Sequence, residues 1–298
     1  MLGDVKKRFI LLALACQTAV AVGDPAEVPE PRASKAPFLS PIARTVLLTV
    51  GVNATIATVS YFAFWQGEQQ AFHFKNDGWF DRHQHSLGAD KVGHAWSAYQ
   101  LTNFSAWGYR KLGVSQPAAN VVGMLNAQLA LFVMEIGDGM SPYGFSRQDV
   151  ISNAVGALFA YSRLRWPIVR DLTDFKLTYQ FRNATTLQGG DQQAGFFENY
   201  DDMTFWFVVR GKRILPRPLN FLGLALGYHT EGYHFWKSYH SGSTSGLRPR
   251  KREWLVGLDI DWSELLKPRQ PLLQGLVTVF NIYHFPFLPA LKSTTHVQ

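Results

Sequence analysis

Up to about residue 170 the apolar positions form long runs at helical spacing, and beyond it they shorten into segments of strand length. The stretch from about Pro41 to Phe64 is apolar and almost uncharged, long enough for a transmembrane or a deeply buried helix. Tyr61, Phe62, Phe64 and Trp65 gather at its end, where a membrane interface favours aromatic rings. Gly88-Ala89-Asp90 introduces a second helix, from about Lys91 to Lys111, with Asp90 as N-cap and Gly113 as its stop. Pro117 opens a third helix that runs to about Gly137. A fourth runs from Ser146 or Arg147 to Tyr161, with Ser146 as cap and Asp149 in the dipole-favoured first turn. Short connections between them predict antiparallel neighbours.

Downstream, Thr204 to Val209, Leu222 to Tyr228 and Trp254 to Asp261 read as strands. Leu258-Asp259-Ile260-Asp261 alternates apolar with acidic residues, which predicts a strand with a packed apolar face and a solvated acidic one. Pro286 and Pro289 interrupt the apolar stretch Leu272 to Leu291, so no full-length spanning helix is expected there. The fold class read from these patterns is mainly α: an antiparallel helical bundle, membrane-associated, with a small antiparallel β region in the C-terminal part. The boundaries are a signal segment over 1–23, a flexible spacer over 24–37, a helical bundle with a polar site over 38–170 and an α+β region over 171–298.

The N-terminus supplies an address. Lys6-Lys7-Arg8 precedes an apolar run from Phe9 to about Val22 that contains Ala19-Val20-Ala21, the pattern of a cleaved secretory signal. Cys16, the one cysteine in the 298 residues, lies inside that run, so a disulfide framework is excluded for the mature chain. Leu12-Ala13-Leu14-Ala15-Cys16 only loosely matches a lipid-attachment box, and simple cleavage is preferred to lipidation. A net charge of +7 suits nucleic acid or an anionic membrane surface. Export chooses the second, so the expected partners are membrane lipids or envelope components and no nucleic acid. Arg210, Lys212, Arg213 and Arg217, then Arg248, Arg250, Lys251 and Arg252, are either solvated loops or contacts to lipid phosphates.

The chemistry lies in polar groups set into apolar helical sequence, where they are costly unless they pair, bind or react. Asp90 and His94 stand four apart, as do Asp149 and Asn153, while Glu135 and Asp138 stand three apart, so each pair shares a helix face. If those faces meet, His94, Glu135, Asp138 and Asp149 are the catalytic candidates, and His73, Asp77, Asp90, Lys91, Ser146 and Asn153 the substrate-binding ones. Mixed nitrogen and oxygen donors on His94, Glu135, Asp138 and Asp149 suit a divalent metal such as Zn or Mn. The same grouping suits metal-free acid-base chemistry, with a carboxylate orienting the imidazole. The plainer readings are that Asp90 and Asp149 serve only their helix ends and that His94 is a satisfied core histidine.

Phe72-His73-Phe74-x-Asn76-Asp77, Gly88-Ala89-Asp90-Lys91-x-Gly93-His94, Glu135-x-x-Asp138-Gly139 and Tyr143-Gly144-Phe145-Ser146-x-x-Asp149-x-x-x-Asn153-x-x-Gly156 together resemble the uncharacterised YfiM-like family of predicted periplasmic lipoproteins. Asp-Lys-x-x-His, Glu and Asp-x-x-x-Asn-x-x-Gly more faintly resemble the VanZ-like membrane proteins, a group linked to glycopeptide tolerance. The resemblance implies a location and site residues rather than a reaction. The expectation is a bacterial cell-envelope protein, periplasmic or membrane-associated, whose His/carboxylate site binds or processes a lipid- or glycan-linked envelope component. The alternative is a non-catalytic envelope scaffold or membrane-surface interaction protein.

Overall fold

The computed structural model describes residues 39–66, 69–84, 86–180, 199–232, 250–285 and 290–297. The signal segment, the spacer, Cys16, Arg248, Pro286 and Pro289 lie outside the described residues. Helix α1 (Pro41–Ser60) starts where the Ser40 hydroxyl accepts the Ala43 N–H and ends in one π-helical turn, Tyr61–Trp65. Helix α2 (Ala89–Lys111) follows a turn, and α3 (Gln116–Gly139) and α4 (Arg147–Arg165) pack on its two sides. Among the described residues α1 and α3 are long and apolar enough to cross a membrane. The apolar window of α1 has no buried residue, whereas α3 turns close to half of its own inward.

Small residues set the helix spacing. Ala98, Ala127, Ala130 and Ala157 fill the α2–α3–α4 contact with Leu101 and Leu131. A Cβ at Gly156 of α4 would stand 1.9 Å from the Ala95 carbonyl oxygen of α2, and one at Gly123 of α3 would stand 2.5 Å from the Ala106 nitrogen. Backbone therefore lies against backbone on both sides of α2.

The expectation of a mainly α, antiparallel bundle with a small β region is overturned. Beyond the short helix α5 (Pro167–Leu172), strands β3 (Thr173–Tyr179), β4 (Met203–Arg210), β5 (Leu222–Glu231), β6 (Lys251–Ile260) and β7 (Ala290–His296) form one five-stranded antiparallel sheet in sequence order. The protein is mixed α/β. Its sheet packs on the start of α2 through Ala89, Leu177, Tyr179, Met203, Phe205 and Tyr228. Strands β3 and β7 read TDFKLTY and ALKSTTH. β3 alternates Phe175, Leu177 and Tyr179 with polar residues, a strand signal that sequence reasoning missed, whereas β7 shows no such alternation. Helices α6 (Trp262–Leu266) and α7 (Pro271–Ile282) separate β6 from β7. A parallel pair, β1 (Phe74–Lys75) and β2 (Phe145–Ser146), ties the loop before α2 to the start of α4.

A second correction concerns β6. Asp259 and Asp261 are buried, 2% and 3% exposed, while Leu258 is 46% exposed. The acidic face points inward and the apolar face outward, the reverse of the expectation. Strand alternation reveals two faces but not which one is covered, and here buried cations cover the acids. Lys176 on β3 donates to Asp259 on β6 at 2.7 Å, across two intervening strands. Three strand spacings would separate them by roughly 14 Å in a flat sheet, beyond the reach of a lysine. The sheet is therefore curled, with the Lys176–Asp259 side concave.

Candidate functional site

The site forms where α2, α3 and α4 meet. The Ser146 hydroxyl caps α4 by accepting the Asp149 N–H at 3.2 Å, which turns Asp149 toward α2. Asp149, Asn153 and Gly156 lie on one face of α4. The close approach at Gly156 brings that face against Asp90, Lys91 and His94 of α2. Asp90 does not cap α2 as expected. Gly88 holds the N-cap position in a left-handed conformation, φ +95, and the Asp90 N–H donates to the Ser86 hydroxyl at 3.0 Å. The Asp90 carboxylate instead faces the site.

Lys91, 2% exposed, is the hub. Its ammonium lies 2.6 Å from Asp149, 2.7 Å from Asp90 and 3.4 Å from Asp77. His94 lies one helical turn further. Its Nε2 is 3.5 Å from Asp90 and 3.7 Å from Asp149, and its Nδ1 is 3.2 Å from the Asn153 side-chain oxygen and 3.6 Å from Glu135. Glu135, 1% exposed, accepts the Ser146 N–H through Oε2 at 3.4 Å. Glu135 Oε1 and Asn153 Nδ2 are buried polar atoms with no hydrogen-bond partner among the described residues. Unsatisfied buried groups of this kind mark a place where a ligand could complete the bonding.

Asp77, Asp90, Lys91, His94, Glu135, Asp149, Asn153 and Ser146 are thus brought together. Asp138 sits at the margin, accepting the Trp65 indole N–H at 2.7 Å. His73 is apart: its backbone joins Gly139 and Phe145, and its ring lies 3.3 Å from the Ala71 carbonyl. Sequence reasoning missed Tyr200, whose hydroxyl donates to Asp90 at 2.7 Å from 110 residues away. Nothing in the local sequence around Tyr200 signals that contact. Trp65 was noted only as an interface aromatic, though it fixes Asp138.

Burial and charge act against each other here. Burial alone would lower the His94 pKa, but the Asp149 and Asp90 carboxylates outweigh it and raise the imidazolium to about 10. Burial raises the Glu135 carboxyl to about 8, with His94 pulling it down and Asp149 pushing it up. Asp138 is raised to about 6, again by burial. Near neutral pH the centre therefore combines two cations, Lys91 and His94, with a protonated Glu135.

The sign of the pH dependence follows. His94 contributes stability that is complete below its ordinary value of 6.5 and lost as pH rises through about 10. Raised carboxyls penalise the fold once pH exceeds their ordinary values, and the Glu135 penalty grows from 4.5 to about 8. Both effects run the same way. Thermal unfolding of the purified protein should shift to lower temperature between about pH 5 and about pH 9, and His94→Gln should flatten the upper half of that slope. A wild-type melting temperature that stayed level or rose over this window would contradict the charge assignment.

One ligand atom each from Asp90, His94 and Asp149 lie within 4.8 Å of one another, close enough to share a divalent ion. This differs from the expected set, because Asp138 is engaged by Trp65. The donors fit a metal only in part. The Lys91 ammonium already takes the cation position between Asp90 and Asp149, and metal ligation needs the neutral imidazole that the surrounding carboxylates disfavour.

The basic loops are largely committed within the fold. Arg210 pairs with Asp261, Arg213 with Asp171 at 2.7 Å, and Lys212 with Glu264 at 2.5 Å. Arg250 donates to the Arg82 and Gln84 carbonyls, and Lys251 pairs with Glu253 at 2.8 Å.

Residues 76–165 match the model of a family described as a predicted periplasmic lipoprotein, DUF2279. The stretch runs from the loop before α2 to the last residue of α4 and contains the whole α2–α3–α4 cluster. The match supports the resemblance to an uncharacterised periplasmic lipoprotein family; it carries neither the YfiM name nor the likeness to VanZ proteins. No curated protein and no solved structure matches the chain. The protein belongs to the bacterial cell envelope, exported to the periplasm or held at a membrane.

Proposed function

We propose that this envelope protein binds a lipid-linked envelope component and processes it at the His94/Glu135/Asp149 centre. The observation that carries the reading is a groove of about 520 Å³ between α2, α4 and the sheet. Its walls include Val155, Phe159, Phe207, Leu226 and Trp254, and Lys91 and Ser152 are among its lining residues. An apolar channel that reaches a charged cluster suits an acyl chain attached to a polar head. A cluster rich in carboxylates, with the Asn153 amide available to donate, favours a head bearing hydroxyls over one bearing phosphate. A smaller cleft of about 260 Å³, lined by Gln128, Leu129, Phe132, Val150 and Asn153, reaches the Asn153 side chain that contacts His94. Glu135, protonated near neutral pH, is suited to give a proton, and Asp149, ion-paired to Lys91, is suited to receive one.

The test is mass spectrometry of lipids that co-purify with the full chain in mild detergent. Val155→Trp, which fills the groove from an exposed wall, should lower the bound lipid by about tenfold, equivalent to roughly 1.4 kcal/mol. His94→Gln and Glu135→Gln should keep lipid bound but accumulate its unprocessed form. Wild-type protein free of lipid above the detergent background, or an unchanged load in folded Val155→Trp, would sink the proposal.

The scaffold reading has one observation in its favour. Lys91 finds three carboxylates within 3.4 Å, so its ion network is complete without a ligand. If the Gln variants lower the melting temperature yet leave the lipid profile unchanged, the cluster positions helices and does no chemistry.

A further inference from the structure

The curled sheet carries polar residues on its concave face and apolar residues on its convex face, part of which, at Leu177, Phe205 and Tyr228, packs on α2. Its concave face buries Lys176, Asp259 and Glu253, with the Trp206 ring stacked on His284 at 3.9 Å and its N–H donating to Thr178 at 2.9 Å. Its convex face exposes Phe207, Val209, Leu224, Leu226, Val256 and Leu258, with Leu224 56% exposed. A sheet in water places these residue types the other way round; polar inside and apolar outside is the pattern of strands whose outer solvent is hydrocarbon. The residues are contiguous. Val209 pairs with Leu224 and Leu224 with Leu258, while Phe207 pairs with Leu226 and Leu226 with Val256, so two rows of apolar side chains cross β4, β5 and β6. Such a patch exceeds the scattered apolar exposure that is normal for a soluble surface.

One end of the sheet indicates what covers it. At the β4–β5 turn and the α6–α7 connection, exposed Ile214, Leu219, Leu266 and Leu272 stand beside exposed Arg217, Lys267 and Arg269. The acids at that end are already paired: Asp171 with Arg213, Asp261 with Arg210 and Glu264 with Lys212. Excess cations interleaved with apolar side chains complement the anionic headgroup layer of a phospholipid bilayer, with hydrocarbon directly beneath it.

We infer that the convex face of the sheet is a lipid-bilayer contact surface, with the Arg217/Lys267/Arg269 end at the anionic headgroups. Phe207 and Leu226 also line the groove, whereas Val209, Leu224, Val256 and Leu258 do not, and the inference rests on those four. The full chain, exchanged from detergent, should float with vesicles of phosphatidylethanolamine and phosphatidylglycerol, less with phosphatidylcholine alone, and less at high salt. The double variant Leu224→Asp, Val256→Asp, outside the groove, should lower vesicle partitioning by about tenfold or more, since a charge on a lipid-facing strand position is strongly disfavoured. A reporter that does not depend on the double variant's folding is Val256→Cys in a Cys16→Ser background, labelled with an environment-sensitive fluorophore. Brominated lipid should quench it and aqueous iodide should not.

Flotation unchanged in the folded double variant, or a label at 256 open to iodide on vesicle-bound protein, would overturn the inference. So would a lipid-free dimer with the label protected, which would make the face a contact between two copies of the chain.

Discussion

Lys91→Met is expected to cost about 3 to 5 kcal/mol, the typical loss when one partner of a buried ion pair is removed. The substitution takes away the ammonium that Asp149, Asp90 and Asp77 share within 3.4 Å, leaving Asp90 and Asp149 beside His94 while Asp77 keeps Lys75 at 3.2 Å. The penalty comes from the stranded charges and not from lost packing, because methionine fills a similar volume. Lys91→Met combined with Asp149→Asn should therefore recover much of the loss, and raising the pH should worsen the single variant more than the double. Melting temperatures of the three proteins across pH decide the matter. A single variant as stable as wild type would mean that the ammonium does not hold the cluster together.

Gly156→Ala should destabilise the protein by about 3 kcal/mol or more, at the upper end for overpacked sites. The added methyl would meet the Ala95 carbonyl oxygen at 1.9 Å, and a helix backbone has no rotamer by which to move aside. Relief requires α4 to separate from α2. That separation would draw Asn153 from His94, now 3.2 Å apart, and Asp149 from Lys91. The variant should then lose stability together with the raised pKa of His94, which a ring-nitrogen NMR titration reports. Val155→Ala, one residue away on an exposed wall, serves as the control. If Gly156→Ala melts like wild type, the two helices are not locked by that contact.

Much of the candidate site was legible because it lies on helices with strong local signals. Four-residue spacing put Asp90 with His94 and Asp149 with Asn153, and Ser146 announced the start of α4. Burial of Glu135 followed from the apolar run before it. What escaped were the cap of α2, where Gly88 and not Asp90 holds the position, and contacts between elements far apart in sequence: Tyr200 on Asp90 and Trp65 on Asp138. Each contact depends on where distant chain segments come to rest, and no spacing rule encodes that.

The fold was less legible than the site. Alternation exposed the three central strands and is present in β3 at Phe175, Leu177 and Tyr179, where sequence reasoning missed it, but β7 carries lysine, serine and threonine where a half-buried strand would repeat apolar residues. The sequence by itself determined the start of α4, the shared faces of the polar pairs and the exported character of the chain, because these depend on local capping, periodicity and the N-terminal segment. Tertiary structure alone decided that those faces meet around Lys91 and that Asp259 and Asp261 turn inward. Both are matters of which surface is covered, and side-chain period is the same whichever face of a strand or helix loses its water.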